Sequence, residues 1–233
     1  MISTRTAKII SYLPAGLVHF ISRKILRGYL KKYAHLKVEG VENLHTMKKP
    51  SIFVCNHLSN ADALILSDVL KEVDPTFVAG IKLSQNAITN LAVGICKTTT
   101  IKPNSPDKEG LKKIVELIKS GESILIFPEG TRSREKKMIE AKKGILLIAK
   151  LAKAPIVPIG MTGTEKLYPI NENGDMSSER FYEADVCVNI GKQFDLAKKN
   201  PDEDKKEYEE RAIKDIMYRI AELLPEEYRG FYA

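Results

Sequence analysis

The chain has 233 residues, 43% of them hydrophobic and 29% charged, with a formal net charge of +7. That composition supports one sizeable core and argues against a disordered chain, and no internal repeat or low-complexity linker points to a fibre or solenoid. Cys55, Cys96 and Cys187 are unevenly spaced and form no CxxC or Cys/His cluster, so neither a disulfide framework nor a metal site is expected, and a reducing compartment is.

The positive surplus is concentrated at the start. Arg5, Lys8, Arg23, Lys24, Arg27, Lys31, Lys32 and Lys37 precede the first acidic residue, so residues 1–38 read as an arm distinct from a domain at 39–233. Its apolar run, Ile9 to Ile21, is well short of the ~20 residues that span a bilayer. A small-residue cleavage site is missing as well, since the run continues into Ser22-Arg-Lys-Ile-Leu-Arg27, so no cleaved signal is expected. From Ala15 to Tyr33 a helical step puts Leu17, Val18, Ile21, Ile25 and Tyr29 on one side and Arg23, Lys24, Arg27 and Lys31 on the other. Such a helix either packs on the domain or lies among lipid headgroups. With no acidic residue to balance it, an anionic membrane surface is the expected partner. No stacking platform, helix-turn-helix or RNP-like block accompanies the charge, so nucleic acid is not expected.

After Val38 the pattern alternates strand and helix. Ile52 to Cys55 is a short apolar run between Lys48-Lys49-Pro50 and polar residues, which reads as a buried strand. It leads into Asn56-His57. Ser59-x-x-Asp62 then has the form of a capping box and starts a helix at Ser59 that runs to Lys71. Five residues along one helix would set His57 and Asp62 about 140° apart, so they meet only if His57 precedes the helix and folds back over it. The plainer alternative is that His57 is a satisfied residue at a strand end and Asp62 only a cap.

Further strands are expected at Thr76 to Ala79, Thr98 to Ile101, Ser123 to Phe127, Ile156 to Met161 and Asp185 to Ile190. Helices are expected at Ser84 to Ala92, Pro106 to Lys119, Lys142 to Lys153 and Asp204 to Leu224, with Ser105-Pro106 as a start signal and Gly121 as a stop. This alternation predicts an α/β fold: a mostly parallel central sheet with helices on both faces, preceded by the basic amphipathic helical segment. Sites in such sheets lie at the carboxyl ends of strands, where His57, Lys102 and the turn from Glu129 to Arg132 all fall. Glu165 to Glu183 carries the least pattern.

The strand at 123–127 ends in Phe127-Pro-Glu-Gly-Thr-Arg-Ser-Arg134. Its hydroxyls, the close approach allowed at Gly130 and its guanidinium forks suit a phosphate. In this order, His57-x4-Asp62 followed by Phe127-Pro-Glu-Gly-Thr-Arg132 resembles the glycerolipid acyltransferases, most closely the bacterial 1-acylglycerol-3-phosphate (lysophosphatidic acid) acyltransferases. Ala154-Pro-Ile-Val-Pro-Ile-Gly-Met-Thr-Gly-Thr164 looks like a further block of that family. Leu224 to Ala233 is similar to the tail of bacterial members, and Lys102 stands where the family usually has a phosphate-binding Arg.

The resemblance implies acyl transfer from a coenzyme A or acyl-carrier-protein thioester to the sn-2 hydroxyl of a lysophospholipid acceptor, giving phosphatidic acid. No cofactor would be needed beyond the donor. His57 and Asp62 would form the general-base pair. Lys102, Glu129, Gly130, Thr131, Arg132 and Arg134 would bind the acceptor, at the cytoplasmic face of a membrane. Left open are the same chemistry on glycerol 3-phosphate or a lyso-aminolipid, and a basic membrane-binding module without catalysis.

Overall fold

The computed structural model of the protein describes residues 15–80, 96–102, 107–171 and 179–233. A seven-stranded sheet is formed by β1 (Ala34–Glu39), β2 (Ile52–Cys55), β3 (Thr76–Gly80), β4 (Thr98–Ile101), β5 (Ile124–Ile126), β6 (Ile156–Thr162) and β7 (Ala184–Ile190). The helices are α1 (Ala15–Tyr33), α2 (Glu42–Thr46), α3 (Asp62–Val69), α4 (Lys108–Lys119), α5 (Gly144–Ala152), α6 (Thr164–Leu167), α7 (Lys205–Ala221) and α8 (Glu226–Arg229). The expected helix at 84–92 and the Ser105-Pro106 start signal lie outside the described residues. Among those described, α4 is capped by Asp107, whose side chain accepts from Gly110 N.

The strand order is β1-β7-β6-β2-β5-β3-β4. β6, β2, β5, β3 and β4 run parallel, while β7 is antiparallel to β6 and carries β1 parallel to itself. The sheet is therefore mostly parallel, as expected, with a reversed pair at one edge. Residues 163–183 join β6 to β7, and the described part of that connection holds the one-turn helix α6. Gly163 makes the approach possible: at φ +84° it passes Asp185 so closely that a Cβ would sit 1.9 Å from the Asp185 carbonyl oxygen.

The alternation of β2 shows why helices cover both faces. Ile52 and Val54 point to one side, into a core shared with Ile114 and Ile118 of α4, Ile145 and Ile148 of α5, and Ile216 and Ile220 of α7. Phe53 and Cys55 point to the other, against Ile65 and Leu66 of α3. Each fully buried Ile, Leu or Phe contributes on the order of 1.5 to 3 kcal/mol, and β2, buried along its whole length, is the strand from which the site projects.

Two expectations are corrected. The arm was expected to end at residue 38, yet Ala34–Glu39 is an edge strand of the sheet, with Leu36 beside Val186 and Val38 beside Val188. Its His35, Lys37 and Glu39 continue the polar run of α1 without a turn signal, which hid the period-two alternation. The second correction concerns the helix after His57, which begins at Asp62 and not at Ser59. Ser59 Oγ donates to the Tyr168 carbonyl at 2.6 Å and accepts from Ala61 N at 3.1 Å, not from Asp62 N, so only half of the capping box forms: Asp62 Oδ2 accepts from Ser59 N at 2.9 Å.

α1 occupies the expected residues and divides its contacts along its length. Leu30 and Tyr33 pack against the core beneath α3, and Arg27 pairs with Asp68 at 2.7 Å. Nearer its start, Leu17 and Phe20 are exposed, Phe20 by 65%. Among the described residues no helix is long and apolar enough to cross a membrane.

Candidate active site

β2 delivers the site because Asn56 extends its ladder by one side chain. Asn56 Nδ2 donates to Met161 O and Asn56 Oδ1 accepts from Met161 N, each at 2.8 Å, so the chain leaves the strand at a fixed angle. His57 follows immediately. Its N–H donates to Glu129 Oε1 at 2.9 Å, and its carbonyl accepts from Ser133 N at 2.8 Å. The backbone of one motif is thus bonded on both sides to the other.

His57 folds back over the start of α3 as the spacing requires, with Nδ1 2.7 Å from Asp62 Oδ2. The same oxygen accepts from Leu58 N at 2.7 Å and Ser59 N at 2.9 Å, which locks the carboxylate against its own turn. Asp62 is fully buried, whereas the His57 side chain is 18% exposed. The imidazole stacks on Phe127, with ring centroids 4.0 Å apart and planes 14° apart, so its plane is fixed as well as its edge. A carboxylate only accepts, so Nδ1 carries the proton and Nε2 keeps its lone pair; among the described residues Nε2 has no hydrogen-bond partner.

Glu129 is buried beneath this pair. Oε1 takes His57 N and Oε2 accepts from Ile139 N at 3.1 Å. Burial pushes its carboxyl up to about 8, against the pull of those two backbone donors and with a further push from Asp62. The other expected site residues lie around it. Gly130, with φ +69°, and Thr131 are exposed on the turn, as is Arg134. Lys102 follows β4 on the same carboxyl edge, two strands beyond β5 and so roughly 10 Å along the sheet, and its N–H donates to Asp107 Oδ2 at 2.8 Å. Arg132 is 17% exposed and donates through Nη1 to the buried Glu179 at 3.1 Å.

The C-terminal tail braces the loop that follows this turn. Met138 N donates to Tyr228 O at 2.8 Å, Phe231 N to Met138 O at 3.1 Å, and Ala141 N to Tyr232 Oη at 3.0 Å. Cys55 is beside the pair but fully buried, and burial pushes its thiol well above the usual range, so it packs rather than reacts. Among the described residues no cluster of His, Cys, Asp or Glu could hold a metal ion.

Sequence reasoning missed Asn56, Phe127, Ser133, Asn60 and Glu179 as members of this site. Asn56 and Phe127 sit inside the two motifs and could have been found by asking what orients a base. Glu179 has no local signal, because its partners are brought to it by the fold alone.

Residues 35–162 match the family model described as Acyltransferase. The chloroplastic 1-acyl-sn-glycerol-3-phosphate acyltransferase of Arabidopsis thaliana is 30% identical over 158 residues, covering 67% of this chain and 44% of that protein. A probable 1-acyl-sn-glycerol-3-phosphate acyltransferase of Mycoplasma genitalium is 34% identical over 163 residues, covering 66% of this chain and 60% of that protein. The chain therefore spans about half the length of the curated relatives it matches. The crystal structure of the 1-acyl-sn-glycerophosphate (LPA) acyltransferase from Thermotoga maritima superposes with a TM-score of 0.64 over 93% of this chain and 86% of that one. At 23% identity that likeness bears on the fold.

Proposed function

The chain belongs to the acyltransferase family, and from that premise we propose that it moves a fatty acyl group from an acyl thioester to the sn-2 hydroxyl of lysophosphatidic acid, making phosphatidic acid. The observation that carries this reading is the 2.7 Å contact between His57 Nδ1 and Asp62 Oδ2, with Nε2, on a partly exposed ring, without a hydrogen-bond partner among the described residues. Nε2 takes the proton of the acceptor hydroxyl as its oxygen attacks the thioester carbonyl. When the tetrahedral intermediate collapses, the C–S bond breaks and the imidazolium returns the proton to the leaving thiolate. Asp62 orients the ring and stabilises its charged form. No enzyme nucleophile is needed, which agrees with the inert setting of Cys55.

The acceptor phosphate is assigned to the cations of the carboxyl edge: the partly buried Arg132, with the exposed Arg134 and Lys102 and with Gly130 and Thr131 shaping the turn. Glu129 serves by clamping that turn to the His57 backbone. The donor is a coenzyme A or acyl-carrier-protein thioester. Exposed Leu17 and Phe20, on a helix rich in Arg and Lys, support attachment to an anionic membrane surface without spanning it.

The test is a panel of lysophosphatidic acid, glycerol 3-phosphate and a lyso-aminolipid against both donor types, with the lipid product identified by mass spectrometry. Phosphatidic acid formed from lysophosphatidic acid with either donor is the expected result. Turnover of only another acceptor would reassign the substrate, and no acyl transfer with any acceptor would overturn the reading.

A further inference from the structure

We infer that Glu179 is a positioning residue for Arg132: it holds the guanidinium in the orientation that receives the acceptor phosphate and ties that orientation to the loop carrying His57. Glu179 is buried at the edge of the site and its two oxygens serve different elements. Oε1 accepts from Arg132 Nη1 at 3.1 Å and from Asn171 N at 3.4 Å, and Oε2 accepts from Asn60 Nδ2 at 2.8 Å. Arg132 belongs to the turn after β5, and Asn60 lies between His57 and Asp62. One carboxylate therefore joins the two motifs at a second place besides the Glu129 clamp.

The backbone that presents Glu179 is itself anchored. Tyr182 N donates to Leu167 O at 2.8 Å, and Phe181 packs on Tyr168 with ring centroids 4.6 Å apart and on Tyr29 of α1 at 5.5 Å. Tyr168 in turn receives the Ser59 hydroxyl on its carbonyl. Arg132 uses Nη1 toward Glu179 and makes no other hydrogen bond among the described residues, so the rest of its planar fork is available to a ligand. An unanchored arginine samples many rotamers and loses that freedom on binding. Held by Glu179, it has already lost it, and the cost is removed from the binding step.

This inference rests on the assignment of Arg132 to the acceptor phosphate, and the experiment separates the two. Kinetics are measured on purified full-length protein with Glu179→Gln, Glu179→Asp and Arg132→Ala, using lysophosphatidic acid as acceptor and thermal melting as a control for folding. Gln keeps the length and an oxygen for Arg132 but loses the charge, and its NH2 keeps the link to Asn60 once the Asn60 amide turns its oxygen inward; Asp keeps the charge but is one methylene too short to reach both partners. The expected result is that Glu179→Asp raises KM about tenfold to a hundredfold with kcat within about twofold, while Glu179→Gln stays within a few-fold of wild type. An unchanged KM in Glu179→Asp, a Glu179→Gln as impaired as Glu179→Asp, or a fall in kcat with KM unaltered would each overturn it. If Arg132→Ala leaves KM unaltered, the phosphate assignment fails. If Arg132→Ala raises KM but Glu179→Asp does not, that assignment stands and only the role of Glu179 falls.

Discussion

The N–H of His57 donates to Glu129 Oε1 at 2.9 Å across 72 residues of chain, so His57 and the turn after β5 are set against each other by this bond. Because this donor is a backbone N–H, no change of side chain at position 57 other than to proline removes it. The clamp belongs to Glu129, and its failure would displace both motifs together.

Glu129 also makes stability depend on pH. Its carboxyl is raised from 4.5 to about 8, chiefly by burial, so between those values the folded protein holds a proton that the unfolded chain releases. The contribution is fully present below about 4.5 and is lost as pH rises through about 8. Wild-type Tm is therefore expected to fall from pH 5 to pH 8.5 more steeply than that of Glu129→Gln, which cannot titrate. Parallel curves would show that the carboxyl ionises at its ordinary value.

Asn56 should matter for stability as well as for aim. In Asn56→Ala the N–H and carbonyl of Met161, both buried, lose their partners. Each orphaned group costs about 1 to 3 kcal/mol. A matching fall in the denaturant midpoint, at unchanged slope, is expected. An unchanged midpoint would mean that the ladder closes without the side chain.

Attachment to lipid should depend on the outer half of α1. Leu17→Glu together with Phe20→Glu removes two exposed apolar side chains without touching Leu30 or Tyr33, which pack on the domain. Binding to vesicles containing anionic phospholipid should weaken about tenfold or more, while activity on a dispersed short-chain acceptor stays near wild type. Vesicle binding equal to wild type would place the attachment elsewhere.

The parts legible in the sequence are those set by short-range chemistry. The strand Ile52 to Cys55 and the turn after it follow from a run of apolar residues with polar residues beyond, and the fold of His57 back onto Asp62 is what the five-residue spacing demands if the two are to meet; the structure has them. At the start of α3 the Ser59 hydroxyl accepts from Ala61 N rather than Asp62 N and donates to the Tyr168 carbonyl, a partner 109 residues away that no local pattern announces. Glu179 escaped for the same reason, since a buried carboxylate in an unpatterned loop looks in sequence like a solvated one. The sequence suggests Glu129 as an acceptor-binding residue, whereas its buried oxygens accept from the N–H groups of His57 and Ile139, partners that carry no side-chain signature.

The most direct test of the account is the kcat of His57→Ala, Asp62→Asn and the double mutant, with lysophosphatidic acid and an acyl thioester at saturating concentration. Loss of a positioned general base should lower kcat about 10²- to 10⁴-fold with acceptor KM near wild type. The double mutant should be little worse than His57→Ala, because the two side chains act as one unit. A His57→Ala protein that is folded and retains more than about a tenth of the wild-type kcat would contradict the account, leaving Asp62 as no more than the residue that opens α3.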